Sequence, residues 1–199
     1  MKKVTIIIPV IRPEGAKRCV EAIKQNAGIS EDEYVIFTKE DKERIGAPRM
    51  VNNMVDESET QLVLFLGDDT IPQPDFLKNA LVKMQELPDG WGVVALNDMK
   101  FDGRHFATAW LADKRMLPLL DGRLVHEGYW HCFSDNEFST RCKELKRFIW
   151  AEDAKVKHMH PVVDKTVPWD EHYKKAYSPE WWQHDQMLFW KRRANGWKD

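Results

Sequence analysis

Cysteine is scarce in this chain. Its three copies, Cys19, Cys132 and Cys142, are odd in number and lack the paired spacing of a thiolate metal site. That pattern argues against a disulfide framework and fits a reducing cytoplasm. Long apolar runs are missing too. No stretch approaches the roughly 20 residues that a membrane span needs, and the opening MKKVTIIIPV meets Pro9 too early for the apolar core of a signal peptide. No membrane partner is expected. Excess charge of either sign is also absent: 30 Lys plus Arg stand against 32 Asp plus Glu, so no global basic field draws the chain to nucleic acid or anionic lipid. There is no internal repeat, low-complexity tract or interdomain linker.

What the chain does have is 199 residues, 43% of them hydrophobic, which is enough for one domain with a real core. Val4 to Val10 is a β-branched apolar run, the pattern of a strand buried on both faces. Pro9 marks its end, because proline removes a ladder hydrogen bond. After Pro13-Glu14, residues Ala16, Cys19, Val20, Ile23 and Ala27 recur at helical spacing until Gly28. Glu33 to Thr38 reads as a second strand and KEDKERIGAPR as a charged loop, followed by a short helix over Met50 to Val55. Strand, helix, strand in this order predicts a parallel pair with a right-handed crossover.

Gln61 to Leu66 is a third strand, Phe76 to Met84 an amphipathic helix capped by Asp75, and Trp91 to Asn97 a fourth strand. Residues 1–98 thus predict the nucleotide-binding half of a single α/β domain, and residues 99–199 a looser acceptor-binding half. In that second half, Phe101-Asp102-Gly103 and Leu120-Asp121-Gly122 are turns, and a helix starts at Ser134 or Asp135. Lys155 to His160 is a short strand, and Asp164 to Trp182 a loop with aromatic anchors. A closing helix over Gln183 to Ala194 turns Met187, Leu188 and Trp190 inward and its basic residues to solvent. Six of the nine tryptophans lie from Trp150 onward, so the tail either stacks on single-stranded nucleic acid beside its cations or buries its rings.

The stretch QLVLFLGDDTIPQPDF organises the rest. An apolar run stops at Asp68 and Asp69, delivering two carboxylates to the carboxyl end of a buried strand, where open α/β sheets bind ligands. Two crowded carboxylates are costly there unless a cation neutralises them. A divalent metal holding a phosphorylated substrate is therefore expected, and a plain polar turn, Gly-Asp-Asp-Thr, is the alternative.

Three stretches in this order, VTIIIPVIRPEGAKRCVEAI, APRMVNN and LVLFLGDDTIPQPDFLKNAL, resemble the opening landmarks of glycosyltransferase family 2. The likeness covers roughly residues 4–98. It implies the GT-A fold, a mostly parallel nucleotide-binding sheet flanked by helices, and inverting transfer of a sugar from a nucleotide-sugar donor. Where the family commonly reads Leu-Asp-Asp-Asp, this chain reads Leu66-Gly67-Asp68-Asp69. The resemblance implies that Asp69 binds the Mn²⁺ or Mg²⁺ that bridges the diphosphate, and that Asp68 meets the donor's ribose or assists the metal. His158-Met159-His160 resembles the family's late histidine for metal or diphosphate, with His160 preferred because Pro161 ends the strand beside it.

SDNEFSTR is similar to the family's acidic catalytic motif. Asp135 is then the base that takes the acceptor proton, with Glu137 second. The same two residues would otherwise serve as a helix cap and a solvated first-turn acid. Pro9, Ile11 and Arg12 would flank the nucleotide base and Thr38 to Asp41 offer it polar edges. Arg49 would reach base or phosphates, with Asn52 supporting its loop. His126 to His131, including Trp130, would line an acceptor pocket or form a packed loop. The acceptor is a soluble molecule of open class, nucleic-acid base, protein or glycan, and oligomeric state is not legible. Two other readings stay open. A nucleotidyltransferase would carry a glycine- and basic-rich loop where this chain has VIRPEGAKR, and Gly67 favours a non-catalytic nucleotide- or sugar-binding relative.

Overall fold

The first strand, β1 (Val4–Val10), is buried along its whole length, because its alternate side chains feed two separate cores. Ile6 and Ile8 pack with Leu64 and Leu66 on one face, and Ile7 packs with Val63 and Trp110 on the other. The computed structural model describes residues 2–99, 106–162 and 164–198. The turn expected at Phe101-Asp102-Gly103 lies outside the described residues.

β1 pairs in parallel with β2 (Tyr34–Glu40) and with β3 (Leu62–Phe65). The connecting helices are α1 (Pro13–Asn26) and α2 (Ala47–Glu57). Then follow β4 (Thr70–Pro72), α3 (Phe76–Met84), β5 (Val93–Asn97), β6 (Trp110–Asp113), α4 (Ser134–Glu144), β7 (Phe148–His158), α5 (Glu171–Ala176) and α6 (Pro179–Ala194). The strands form one seven-stranded sheet in the order β2-β1-β3-β6-β5-β7-β4.

The nucleotide-binding half is parallel, as the strand–helix–strand reading requires. The sheet as a whole is mixed, because β6 enters antiparallel between β3 and β5, and β4 lies antiparallel to β7. Hydrophobic periodicity does not announce β6: its four residues are all buried, so no alternation is visible. β7 is longer than the expected strand over Lys155 to His160. Its first half runs parallel to β5, and a bulge at Leu96/Asn97 lets the second half leave for β4.

Three local expectations are corrected. Asp75 makes no side-chain cap on α3; it sits at φ 61°, and its Oδ1 crowds Gly28, where a Cβ would come within 2.5 Å. The aromatic loop holds the short helix α5, whose Tyr173 amide donates to Asp170 at 2.8 Å. In α6 Leu188 packs inward as expected, but Met187 and Trp190 are exposed, and the buried stripe is Asp185, Phe189 and Arg192, spaced i, i+4, i+7.

Polar side chains can line that stripe because each is fully engaged. Asp185 accepts the amides of Trp130, His131 and Cys132 at 2.9, 2.9 and 2.7 Å, and Arg192 forks onto Glu137 at 2.9 and 3.0 Å. Trp197 is buried against Phe189, whereas Trp182 and Trp190 face solvent. Among the described residues, no helix is long and apolar enough to cross a membrane.

Candidate functional site

At the carboxyl end of β3 the backbone turns sharply. The amide and hydroxyl of Thr70 both donate to the Gly67 carbonyl, at 3.1 and 2.8 Å, and the turn throws Asp68 and Asp69 to different neighbours. Asp68 is buried and points at the loop after β1. Its Oδ2 accepts the amides of Ile11 and Arg12 at 2.7 and 2.6 Å, and its Oδ1 lies 3.3 Å from the Arg12 guanidinium. Burial and the neighbouring Asp69 charge push the Asp68 carboxyl up, against the two amides that favour its charged form. The first turn of α1 also runs close to the acidic turn: a Cβ on Gly15 would lie 2.3 Å from the Asp68 carbonyl oxygen, so only glycine fits.

Asp69 turns the other way. Its Oδ2 accepts from the Tyr173 hydroxyl at 2.6 Å and lies 3.3 Å from His158 Nε2. The antiparallel register that sets Thr70 opposite His158 brings the histidine there. Burial alone would raise the Asp69 carboxyl. His158, the Tyr173 hydroxyl and the Arg12 guanidinium outweigh that and hold it well below the usual carboxylate range. Burial, with the Asp69 charge, pushes Tyr173 up, so its hydroxyl stays protonated and donates. Arg12 completes the arrangement. It contacts Asp170 through Nε and Nη2 at 2.7 and 3.3 Å, and its guanidinium lies 4.1 Å from the centre of the Tyr173 ring. The start of α5 is thereby fastened across the acidic pair.

The chain matches no family model and no curated protein. Its structure does have solved counterparts. The mannosyltransferase PcManGT from Pyrobaculum calidifontis, in complex with GDP-Man and Mn²⁺, has a TM-score of 0.63 at 15% identity, over 79% of this chain and 56% of its own. S. aureus TarS 1-349 in complex with UDP gives 0.62 at 15% identity, over 96% of this chain and 71% of its own. A mutant of Drosophila β1,4-galactosyltransferase 7, in complex with manganese, UDP-Gal and xylobiose, gives 0.57 at 17% identity, over 80% of this chain and 71% of its own. The fold is that of the GT-A-type glycosyltransferases.

On this GT-A frame the remaining residues singled out in the sequence fall into three groups. The first borders a cleft of about 220 Å³ at the carboxyl ends of β1 and β2, lined by Val10, Ile11, Glu40, Asp41, Lys42 and Arg44. Asp41 shapes it by accepting the amides of Ile45 and Gly46 at 2.9 and 3.0 Å. Ile11 lies in this lining, but Pro9 is buried within β1, and Thr38 and Arg49 are exposed on β2 and α2 away from it. Asn52 pins the loop after residue 120 to α2, donating to the Val125 carbonyl at 2.7 Å.

The second group is the histidines. His158 adjoins Asp69, whereas His160 lies past the end of β7, accepting the Val162 amide on Nδ1 at 3.1 Å, its ring 5.3 Å from that of His158. The chain leaves the strand at His158, so strand alternation does not carry His160 to the same place.

The third group is the acids of α4. Phe133, at φ 63°, occupies the cap position without a side-chain bond, so Asp135 is no cap. It lines a recess beside β3. Burial pushes the Tyr177 hydroxyl up, and the Cys132, Asp135 and Asp69 charges each add to it. Glu137 is buried, accepting from Arg192 and, at 2.8 Å, from the Tyr129 hydroxyl. It is not a solvated first-turn acid.

Sequence reasoning missed Asp170, Tyr173 and Tyr177. The one local signal was the capping pattern Asp170 to Tyr173, which marks α5 but not what it meets.

Proposed function

We propose that this chain is a metal-dependent glycosyltransferase that moves a sugar from a nucleotide-sugar donor to an acceptor hydroxyl with inversion. The observation that carries the reading is Asp69 beside His158, 3.3 Å apart, just past the carboxyl end of β3 and at the end of β7. One carboxylate and one imidazole suit a divalent cation that takes its other ligands from phosphate oxygens and water. Among the described residues no group of three or more His, Cys, Asp and Glu converges to cage a metal. Asp69 and His158 would be the protein's share of the shell for Mn²⁺ or Mg²⁺, with the His160 ring 5.3 Å from that of His158. The mannosyltransferase and galactosyltransferase structures contain manganese with a nucleotide sugar, which supports the same assignment here.

When bound, the metal supplies Lewis-acid stabilisation to the departing diphosphate. Arg12 adds a planar guanidinium that matches phosphate oxygens. Ile11 and Asp41 flank the base, and Asp68 holds the loop that carries Ile11 and Arg12. Asp135 takes the proton of the acceptor hydroxyl as its oxygen bonds to the anomeric carbon. The bond from that carbon to the diphosphate breaks on the opposite face, the electron pair leaving with the phosphate oxygen, so the centre inverts. Residues 1–98 supply most of the donor side, with His158 and the start of α5 reaching it from the second half, and Asp135 stands on the acceptor side. Gly67, together with the Tyr173 hydroxyl on Asp69, favours one other reading, a relative that binds nucleotide without transferring sugar.

Thermal unfolding against nucleoside diphosphates and nucleotide sugars, with Mn²⁺ and with chelator, tests the proposal. A ligand at a hundred times its dissociation constant adds about 2.7 kcal/mol, or roughly 5–10 °C for a chain of this size. The expected result is a Mn²⁺-dependent shift with one nucleoside diphosphate, lost in Asp69→Asn. No shift with any nucleotide would overturn the reading, and a shift without sugar transfer would favour the non-catalytic relative.

A further inference from the structure

Asp69 is fixed from three sides. Its backbone carbonyl accepts the Met159 amide at 2.7 Å, which ties it to the strand end that carries His158. Its Oδ1 lies against Gly67, where a Cβ would come within 2.6 Å of it, so the glycine leaves the carboxylate room to stand as it does. Its Oδ2 accepts from the Tyr173 hydroxyl at 2.6 Å and lies 3.3 Å from His158 Nε2. The hydroxyl is also 3.1 Å from the Met159 carbonyl, but its single proton goes to the shorter contact with the charged acceptor.

Each oxygen of an ionised carboxylate has two lone-pair positions. The phenol takes one position on Oδ2 and leaves the other toward His158. Two ligands set at right angles about a cation, each about 2.1 Å from it, stand roughly 3 Å apart, close to the spacing of Oδ2 and Nε2. A cation can therefore enter between carboxylate and imidazole while the phenol stays in place. Without the hydroxyl, the carboxylate is held less firmly about its last torsion, which is a broad one, and every turn away from His158 weakens the shared coordination. Outer hydrogen bonds of this kind are commonly worth about 10–100-fold in metal affinity.

Tyr173 reaches the phosphate side as well. The Arg12 guanidinium lies 4.1 Å from the centre of its ring, and Asp170, which accepts the Tyr173 amide at 2.8 Å, also holds Arg12 Nε at 2.7 Å. From the second half of the chain, α5 thus touches both the ligand assigned to the cation and the guanidinium assigned to the diphosphate. We propose that Tyr173 is a positioning residue of the donor site, its hydroxyl aiming Asp69 at His158 and its ring seating Arg12 beside them. This rests on the donor half of the reading above, a cation and a nucleotide at Asp69, and not on sugar transfer.

The measurement is the Mn²⁺ concentration that gives half of the thermal shift produced by a nucleoside diphosphate, in wild type and in Tyr173→Phe. Phenylalanine keeps the ring over which Arg12 lies and removes only the hydroxyl. The half-point is expected to rise at least tenfold, while trypsin cleavage at the exposed Lys174 and Lys175 of α5 stays as slow as in wild type. An unchanged half-point would overturn the proposal, and so would a lower one, which would mean that the phenol competes with the cation. A higher half-point with faster cleavage would overturn it too, since α5 would then have come loose and the hydroxyl would serve docking alone. No Mn²⁺-dependent shift of the wild type with any nucleoside diphosphate would instead remove the donor reading itself.

Discussion

Asp135→Asn is expected to retain the Mn²⁺-dependent nucleotide shift and to lower sugar transfer by about 10²–10⁴-fold, the usual worth of a positioned general base. The size of the effect follows from what the substitution leaves alone. Asp135 does not cap α4, so no helix-terminal bond is lost. Its Oδ1 accepts the Asn136 amide at 2.9 Å, and an asparagine oxygen can accept the same bond. The carboxylate's charge goes too, and with it the capacity to take a proton from the acceptor hydroxyl. The check is nucleoside-diphosphate release measured beside the thermal shift, in wild type and variant. Full transfer with an asparagine at position 135 would return that residue to a structural role and leave the base unassigned.

How much of this was legible beforehand depends on the range of the interactions. α1 and α3 were readable from their hydrophobic period, and β1 and β2 from apolar, β-branched runs, each a local signal over seven or more residues. β6 has four residues and no visible alternation, and α5 has six; neither is long enough to carry a pattern. Asp68 and Asp69 stood out because an apolar strand stopped at them. That they face different partners was not readable, because those partners are set by tertiary distance. Asp68 meets Arg12, 56 residues away in the chain, and Asp69 meets Tyr173, 104 residues away. The inverted burial of α6 has the same origin. Trp190 and Met187 look like core residues and Asp185 and Arg192 like surface, until three backbone amides and Glu137 arrive from elsewhere to satisfy the polar pair.

Arg192→Ala should lower stability by about 3–5 kcal/mol, the usual cost of removing one partner from a buried ion pair, and the unfolding midpoint by roughly 10 °C. Arg192 and Glu137 are nearly inaccessible, with side chains 4% and 3% exposed, so solvent screening takes little from the figure. Arg192 also donates to the Trp197 carbonyl at 2.8 Å. Without it, the Glu137 carboxylate stays buried with the Tyr129 hydroxyl and a 3.5 Å contact to Arg141. The double change Arg192→Leu with Glu137→Leu is the informative companion, since an apolar pair removes the stranded charge and should recover most of the loss. A drop of under 2 °C in the single variant would mean that water reaches Glu137 and that the clamp is weak. The comparison also bears on catalysis. Glu137 lies two residues from Asp135 on α4, and its partner is on α6, so the ion pair sets where the first turn of α4 stands. If the leucine pair restores the midpoint yet transfer stays low while nucleotide still binds, the clamp's work is to aim Asp135. If transfer returns with the midpoint, packing alone positions the base, and the charges matter only to each other.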